Sequence, residues 1–132
     1  MNETQDLQGG ILPNAPEWKF TLGADYTLKL AQLPFFGFAN LNYVWQDNIQ
    51  FGITQNPLQV QDSYGIANLG IGINEKDSDK YRITLFVNNL FDESYRNAVA
   101  DIRQLFGGKT ALVQSLPRDS ERYFGIRAQL NF

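Results

Sequence analysis

The sequence predicts an all-β fold: an antiparallel up-and-down sheet of about five long strands, forming part of a membrane-spanning β-barrel that it cannot close alone. Three observations predict it. Apolar residues recur at every second position through five separate runs. The two sides of each run differ in kind, one aliphatic and aromatic, the other rich in Asn, Gln, Thr, Gly and charge. The segments between runs are alternately short and long, as in a meander whose two ends face different surroundings.

Each run can be justified in order. Residues 1–16 are polar, contain Gly9-Gly10, Pro13 and Pro16, and read as a loop or flexible arm. From Glu17, Trp18, Phe20, Leu22, Ala24, Tyr26, Leu28 and Leu30 alternate with Lys19, Thr21, Gly23, Asp25, Thr27 and Lys29. A helix would scatter these apolar residues around its whole circumference, whereas a strand collects them on one side. After a turn at Gln32-Leu33-Pro34, the second run covers Phe35 to Gln46, with Phe36 and Phe38 interrupting its polar side. Residues 47–63, including Asn56-Pro57, read as a long loop. Tyr64 to Glu75 sets Ala67, Leu69, Ile71 and Ile73 against Asn68, Gly70, Gly72 and Asn74. A tight turn at 76–79 leads to Lys80–Phe91, where Tyr81, Ile83, Leu85 and Val87 oppose Arg82, Thr84 and Asn88. Residues 92–118 read as a second long loop, and the last run starts at Glu121.

Composition narrows the chemistry. The 132 residues include neither Cys nor His, which removes thiolate nucleophiles, Ser-His-Asp triads, the usual zinc sites and a switch near neutral pH. No cofactor or metal site is expected, nor an enzyme. Eleven basic residues against fourteen acidic ones give a net charge of −3, which argues against a nucleic-acid surface. No run of about 18 apolar residues is present for a transmembrane helix, and the N-terminus lacks the pattern of a signal peptide.

Strand length separates the remaining architectures. The runs span about 11–14 residues, against about 5–6 in ordinary soluble strands. A tilted strand of about 10 residues crosses the hydrocarbon band of an outer-membrane-type barrel. Trp18, Tyr43, Trp45, Tyr81, Phe91, Phe124 and Phe132 stand near run ends on the apolar side, as interfacial girdles do. Since single-chain barrels need about eight strands or more and an isolated sheet leaves open edges, the chain is expected to be the C-terminal portion of a larger barrel.

Several motifs carry a family resemblance. Val87-Asn88-Asn89-Leu90-Phe91-Asp92-Glu93-Ser94-Tyr95 resembles the N-L-F-D-x-x-Y segment of TonB-dependent outer-membrane receptors. Leu116 to Gly125, with Pro117-Arg118 and Tyr123-Phe124-Gly125, resembles the entry to their last strand, and Asn14-Ala15-Pro16-Glu17-Trp18 that of an earlier one. Phe124, Ile126, Ala128, Leu130 and Phe132, at every second place up to the end, resemble the outer-membrane assembly signal. The resemblance covers residues 14–132, and makes 17–132 the C-terminal strands of such a barrel. It implies a barrel of about 22 strands around an N-terminal plug domain, uptake of a ferric siderophore or similar nutrient, and energy from the TonB complex. It places 47–63 and 92–118 outside the cell and the turns 31–35 and 76–79 in the periplasm. Expected partners are therefore outer-membrane lipid, the rest of the barrel and plug, TonB through an N-terminal part, and an iron chelate or similar small ligand, in a Gram-negative bacterium.

Candidate ligand contacts are few. Arg96, Arg103, Phe106 and Lys109 form a basic, aromatic loop suited to steering an anionic chelate, although a solvated loop has the same composition. Arg82, Arg127, Lys19, Lys29 and Asp25 can line the lumen, where such groups mostly pair with one another or with the plug. Asn88-Asn89 reads as a strand-end network. Gly70-Ile71-Gly72 lacks the remainder of a dinucleotide fingerprint, and Asn74, Asp77 and Asp79 lack the glycine and glutamate of a calcium loop. Asn2-Glu3-Thr4 matches a glycosylation sequon by chance. Three readings stay open: a transport receptor, a non-transporting adhesin or anchor barrel, and a soluble lipocalin-like barrel with its apolar side inward.

Overall fold

The computed structural model describes residues 8–10, 12–76 and 80–131. Among them nine strands follow in chain order: β1 (Lys19–Lys29), β2 (Phe35–Gln46), β3 (Ile49–Gln50), β4 (Val60–Gln61), β5 (Tyr64–Glu75), β6 (Tyr81–Asn88), β7 (Ala98–Asp101), β8 (Leu112–Ser115) and β9 (Tyr123–Leu130). The chain divides into two compact units, each described here by itself. The fold class is the predicted one, all-β and antiparallel.

The unit comprising Phe20–Trp45, Gly65–Glu93 and Asp119–Phe132 holds a single five-stranded sheet in the order β1-β2-β5-β6-β9. Period-two patterning fixes its register. Leu69 pairs with Val87, Ile71 with Leu85 and Ile73 with Ile83. Across the next ladder, Tyr81 pairs with Leu130, Ile83 with Ala128, Leu85 with Ile126 and Val87 with Phe124. The opposite side collects the Gly70–Phe86, Gly72–Thr84 and Asn74–Arg82 pairs. It continues with Arg82–Gln129, Thr84–Arg127 and Asn88–Tyr123. A slip of one residue would exchange the two sides, so five runs in phase specify one register.

The apolar side is not covered by the chain. Leu41 is 42% exposed, Leu85 48% and Ile126 72%, and β1 is exposed along its whole length. The only buried hydrophobic residues among those described are Ile66, Ala67 and Val99. Nothing in the sheet resembles the dry interior that an inward-facing lipocalin-like barrel requires, and its two outer strands, β1 and β9, each have one neighbour.

Several expectations need correction. The fourth and fifth runs give strands of 8 residues each, shorter than the expected long strands, whereas β1, β2 and β5 have 11, 12 and 12. The cause of the early stop is local. Asn89 turns to φ 52° and Asp92 to φ 59°, so the chain leaves the extended region at Asn88 even though alternation continues to Phe91. At the other end of that ladder, a helical turn at Arg118–Ser120 delays β9 until Tyr123. The segments 47–63 and 92–118 are not plain loops either. The first contains the β3–β4 hairpin, the second the β7–β8 hairpin with a helical turn at Arg103–Phe106. Strands of 2 and 4 residues are too short to display a period. Phe132, Asp77, Asp79 and the Asn2-Glu3-Thr4 sequon lie outside the described residues.

The unit comprising Met1–Lys19, Gln46–Tyr64 and Ser94–Arg118 is organised differently. Its hairpins are joined by polar side chains: Gln59 Nε2 donates to the Val99 carbonyl at 3.2 Å, and both residues are buried. Arg96 donates from its backbone to Gln61 Oε1 at 2.9 Å and from its guanidinium to the Val60 carbonyl at 2.9 Å. Tyr64 and Tyr95 stack with ring centroids 4.3 Å apart. Of the buried polar residues, Gln46, Gln50, Gln59 and Gln61 all belong here, so buried amides do what apolar side chains do in most cores.

Candidate functional site

Two surfaces have the chemistry of a site. One is the polar side of the sheet. Two phenylalanines that interrupt its alternation are explained by what they touch. The Phe38 ring lies over Gly72, and the Arg82 guanidinium sits 4.3 Å from its centroid. The Phe86 ring lies over Gly125, with Arg127 at 5.6 Å. In both stacks glycine supplies the room for a flat ring and the ring carries a cation on its face. Phe36 faces Lys76, whose Nζ lies 5.6 Å from the ring and donates to the carbonyls of Leu30 at 3.1 Å and Leu33 at 2.6 Å. Asp25, Asn40 and Asn74 border the hollow beside Arg82. Lys19 and Lys29 are exposed on β1.

Where β5, β6 and β9 end, Asn89 is fully buried. Its Nδ2 donates to the carbonyls of Glu93 at 2.9 Å and Asp119 at 3.1 Å, and its Oδ1 accepts from the Glu93 N–H at 2.8 Å. Its own N–H donates to Asn68 Oδ1 at 2.9 Å, and Leu90 N–H donates to the Ala67 carbonyl at 2.8 Å. Asp92 Oδ1 accepts from the Arg122 N–H at 2.8 Å. The Asn-Leu-Phe-Asp segment thus ties the ends of three strands, and Asn89 has no group left for a ligand.

The second surface is a cleft of about 880 Å³ within the hairpin unit. Phe51, Ile53 and Thr54 border it from one hairpin, Asp101, Arg103 and Gln104 from the other. Of the four loop residues singled out in the sequence, the structure brings only Arg103 to this cleft. Arg103 forms an ion pair with Asp101, with Nε donating at 2.6 Å, and the Asp101 carboxylate also caps the Arg103 N–H at 2.9 Å. These bonds hold the Asp101 carboxyl below the usual aspartate range and raise the Arg103 guanidinium above its ordinary value. Arg96 is committed to Gln61 and Val60. Phe106 and Lys109 are exposed around the turn that Gly107 and Gly108 make at φ 64° and 82°. Sequence reasoning missed the 47–63 side of the cleft altogether. The available signal was the spacing of Gln46, Gln50, Gln55, Gln59 and Gln61 around Asn56-Pro57, too many amides for a simple solvated loop.

The segment resembling an assembly signal lies on β9. Phe124, Ile126, Ala128 and Leu130 share the apolar side, and Phe124 is 84% exposed. Among the described residues no group of three or more metal-ligating side chains comes together.

Comparison with known proteins gives one finding. A family model described as TonB dependent receptor-like, beta-barrel matches residues 2–90, more than half of the chain. No curated protein and no solved structure matches.

Proposed function

Because the chain belongs to the TonB-dependent receptor-like β-barrel family, we propose that it forms the C-terminal strands, residues 17–132, of an outer-membrane receptor that takes up a ferric siderophore or a similar nutrient. The family is one of outer-membrane transport barrels rather than enzymes. One observation carries the reading. The sheet leaves an unbroken apolar side uncovered by the chain, and backs it along β5, β6 and β9 with a side of Asn, Gln, Thr, Arg and Gly interrupted by Phe86 and Tyr123. Hydrocarbon is the solvent that such a side fits, and a wet or plugged lumen fits the other. The partners in this reading are lipid, the remaining strands and plug, and the TonB complex through the plug end of the receptor.

In this reading the segments 47–63 and 92–118 face outside and the turn 31–35 faces the periplasm. These 132 residues contain no cysteine, so an introduced one is unique within them. In intact cells producing the receptor, a membrane-impermeant maleimide should label Gln104→Cys and leave Ala31→Cys unlabelled until the outer membrane is opened. Removing the gene should abolish uptake of ferric chelates supplied as sole iron source. Labelling of Ala31→Cys in intact cells, or unchanged uptake from every chelate tried, overturns the reading.

A further inference from the structure

On the apolar side of β2, the row Phe35, Gly37, Ala39, Leu41, Tyr43 and Trp45 has its two smallest residues at consecutive places, 37 and 39. They border an open groove of about 440 Å³, walled by Tyr26 and Leu28 of β1 and by the paired Ile73 and Ile83 of β5 and β6. Its walls are accessible: Tyr26 is 65% exposed, Leu28 49% and Ile83 45%. Neither the backbone nor a close neighbour requires glycine at 37. Its φ is not left-handed, and a Cβ there would meet only atoms of Leu28 and Leu30, none closer than 3.8 Å. Gly72 and Gly125, by contrast, lie under the rings of Phe38 and Phe86. What the glycine at 37 does is open the groove.

Polar groups stand at one end of it. Two residues past Ile73 and Ile83, about 7 Å further along the strands, the same rows end at Glu75 and Tyr81. Lys80 Nζ lies 5.7 Å from the centre of the Tyr81 ring, and Glu75 Oε2 accepts from the Lys80 N–H at 3.2 Å. An ammonium, a carboxylate and a phenol thus share the rim. The Lys76 N–H donates to the Pro34 carbonyl at 3.0 Å, so this rim lies at the end of the sheet that carries the 31–35 turn. The wall chemistry selects the ligand in two parts. No charged or amide side chain lines the groove, so a hydrocarbon segment gains dispersion contact there without losing hydrogen bonds. At the rim, a purely anionic headgroup meets Glu75 as a like charge, and a purely cationic one meets Lys80 so. A headgroup with both a phosphate and a primary ammonium gives the lysine an acceptor and the carboxylate N–H donors.

We propose that this groove binds one phospholipid with such a zwitterionic headgroup, its acyl chain along Gly37 and Ala39, its phosphate at Lys80 and its ammonium at Glu75. The inference rests on the transport-barrel reading for its membrane setting and for the periplasmic leaflet. The test is native mass spectrometry of the full receptor, released from octyl tetraethylene glycol micelles after titration with dioleoyl phosphatidylethanolamine, phosphatidylcholine or phosphatidylglycerol. The three share their chains; the second has no N–H on its nitrogen, and the third has no nitrogen. The receptor should hold one phosphatidylethanolamine about tenfold more tightly than either of the others. Gly37→Leu fills the groove and should weaken that binding about tenfold. Glu75→Gln keeps a carbonyl for the Lys80 N–H but loses the charge. It should bring phosphatidylethanolamine down to the level of phosphatidylcholine without weakening phosphatidylglycerol. If Gly37→Leu does not fold, Glu75→Gln, at a strand end, still decides. Equal binding of the three lipids, an undiminished preference in Glu75→Gln, or unchanged binding in a folded Gly37→Leu overturns the site and leaves an unselective apolar surface. Because binding is read on purified protein, that failure leaves the maleimide pattern at Ala31 and Gln104 standing, and a wrong maleimide pattern removes the leaflet assignment and leaves the binding result standing.

Discussion

In the sheet, Leu85 is 48% exposed; in the hairpins, Gln50 is 4% exposed. Water-soluble proteins arrange these residue types the other way round. In the proposed reading the two regions solve the same problem for different solvents. In the hairpins Gln59, Gln61 and Arg96 are held by hydrogen bonds to one another and to backbone carbonyls, so glutamine can be buried there. The sheet satisfies its backbone by pairing strand with strand and leaves its aliphatic side uncovered by the chain, which in the reading proposed above meets hydrocarbon. Exposure, which marks a defect in one region, marks a contact surface in the other.

The largest expected effect tests which side meets hydrocarbon. Leu85→Arg should destabilise the membrane-inserted form by about 2–4 kcal/mol if Leu85 lies near the midplane. Thr84→Arg, one residue away on the polar side, should cost much less, measured by denaturant unfolding from liposomes. Equal losses would erase the distinction between the two sides. Next comes the polar junction inside the sheet unit. Asn89→Ala deletes three side-chain hydrogen bonds and leaves buried partners unmatched, an expected loss of about 2–3 kcal/mol. Hydrogen exchange should quicken at the Glu93 amide, and no change there would show that the junction is not held by this side chain.

Glycines sharpen the comparison further. A Cβ at Gly72 would meet the Ile83 carbonyl oxygen and the Phe38 ring, whereas one at Gly23 meets nothing within 4 Å. Gly72→Ala should therefore cost about 1–3 kcal/mol and Gly23→Ala within about 0.5 kcal/mol, read by the same unfolding assay. The smallest effect belongs to the hairpins. The Asp101 carboxyl, held ionised by Arg103, should titrate below 3.8 when followed by carboxyl-carbon NMR, and Arg103→Ala should return it upward. Since the folded value is the depressed one, the pair's contribution is complete above the unfolded aspartate range and fades as pH falls through the folded value. A midpoint that does not move on Arg103→Ala would show that the pair is not formed in solution.

How far the sequence could be read follows from the same contrast. Alternation of Leu69, Ile71 and Ile73 with Asn68, Gly70 and Gly72 located β5 to the residue, because a long half-apolar strand repeats its signal many times. Phe36 and Phe38 looked like violations because the groups they stack on, Gly72 with Arg82 on β5 and β6, and Lys76 just after β5, lie far away in the chain. Asn89 could be suspected from its motif, but its φ of 52° and its three side-chain bonds depend on Glu93 and Asp119. The hairpins were illegible for a different reason. Four-residue strands carry no period, and the pairing of Gln59 with Val99 across 40 residues leaves no local trace. Arg103 was picked for its charge, yet Asp101 two residues earlier neutralises it.

The in-phase pairing of β5, β6 and β9 also constrains how this molecule can change over generations. One residue gained or lost inside any of these ribbons would exchange the sides of everything beyond it, putting asparagine on the apolar side and isoleucine on the polar one. Length variation is thereby confined to the connecting segments. A scaffold whose ribbons are fixed in phase can change at its connections without changing which side of the sheet is apolar.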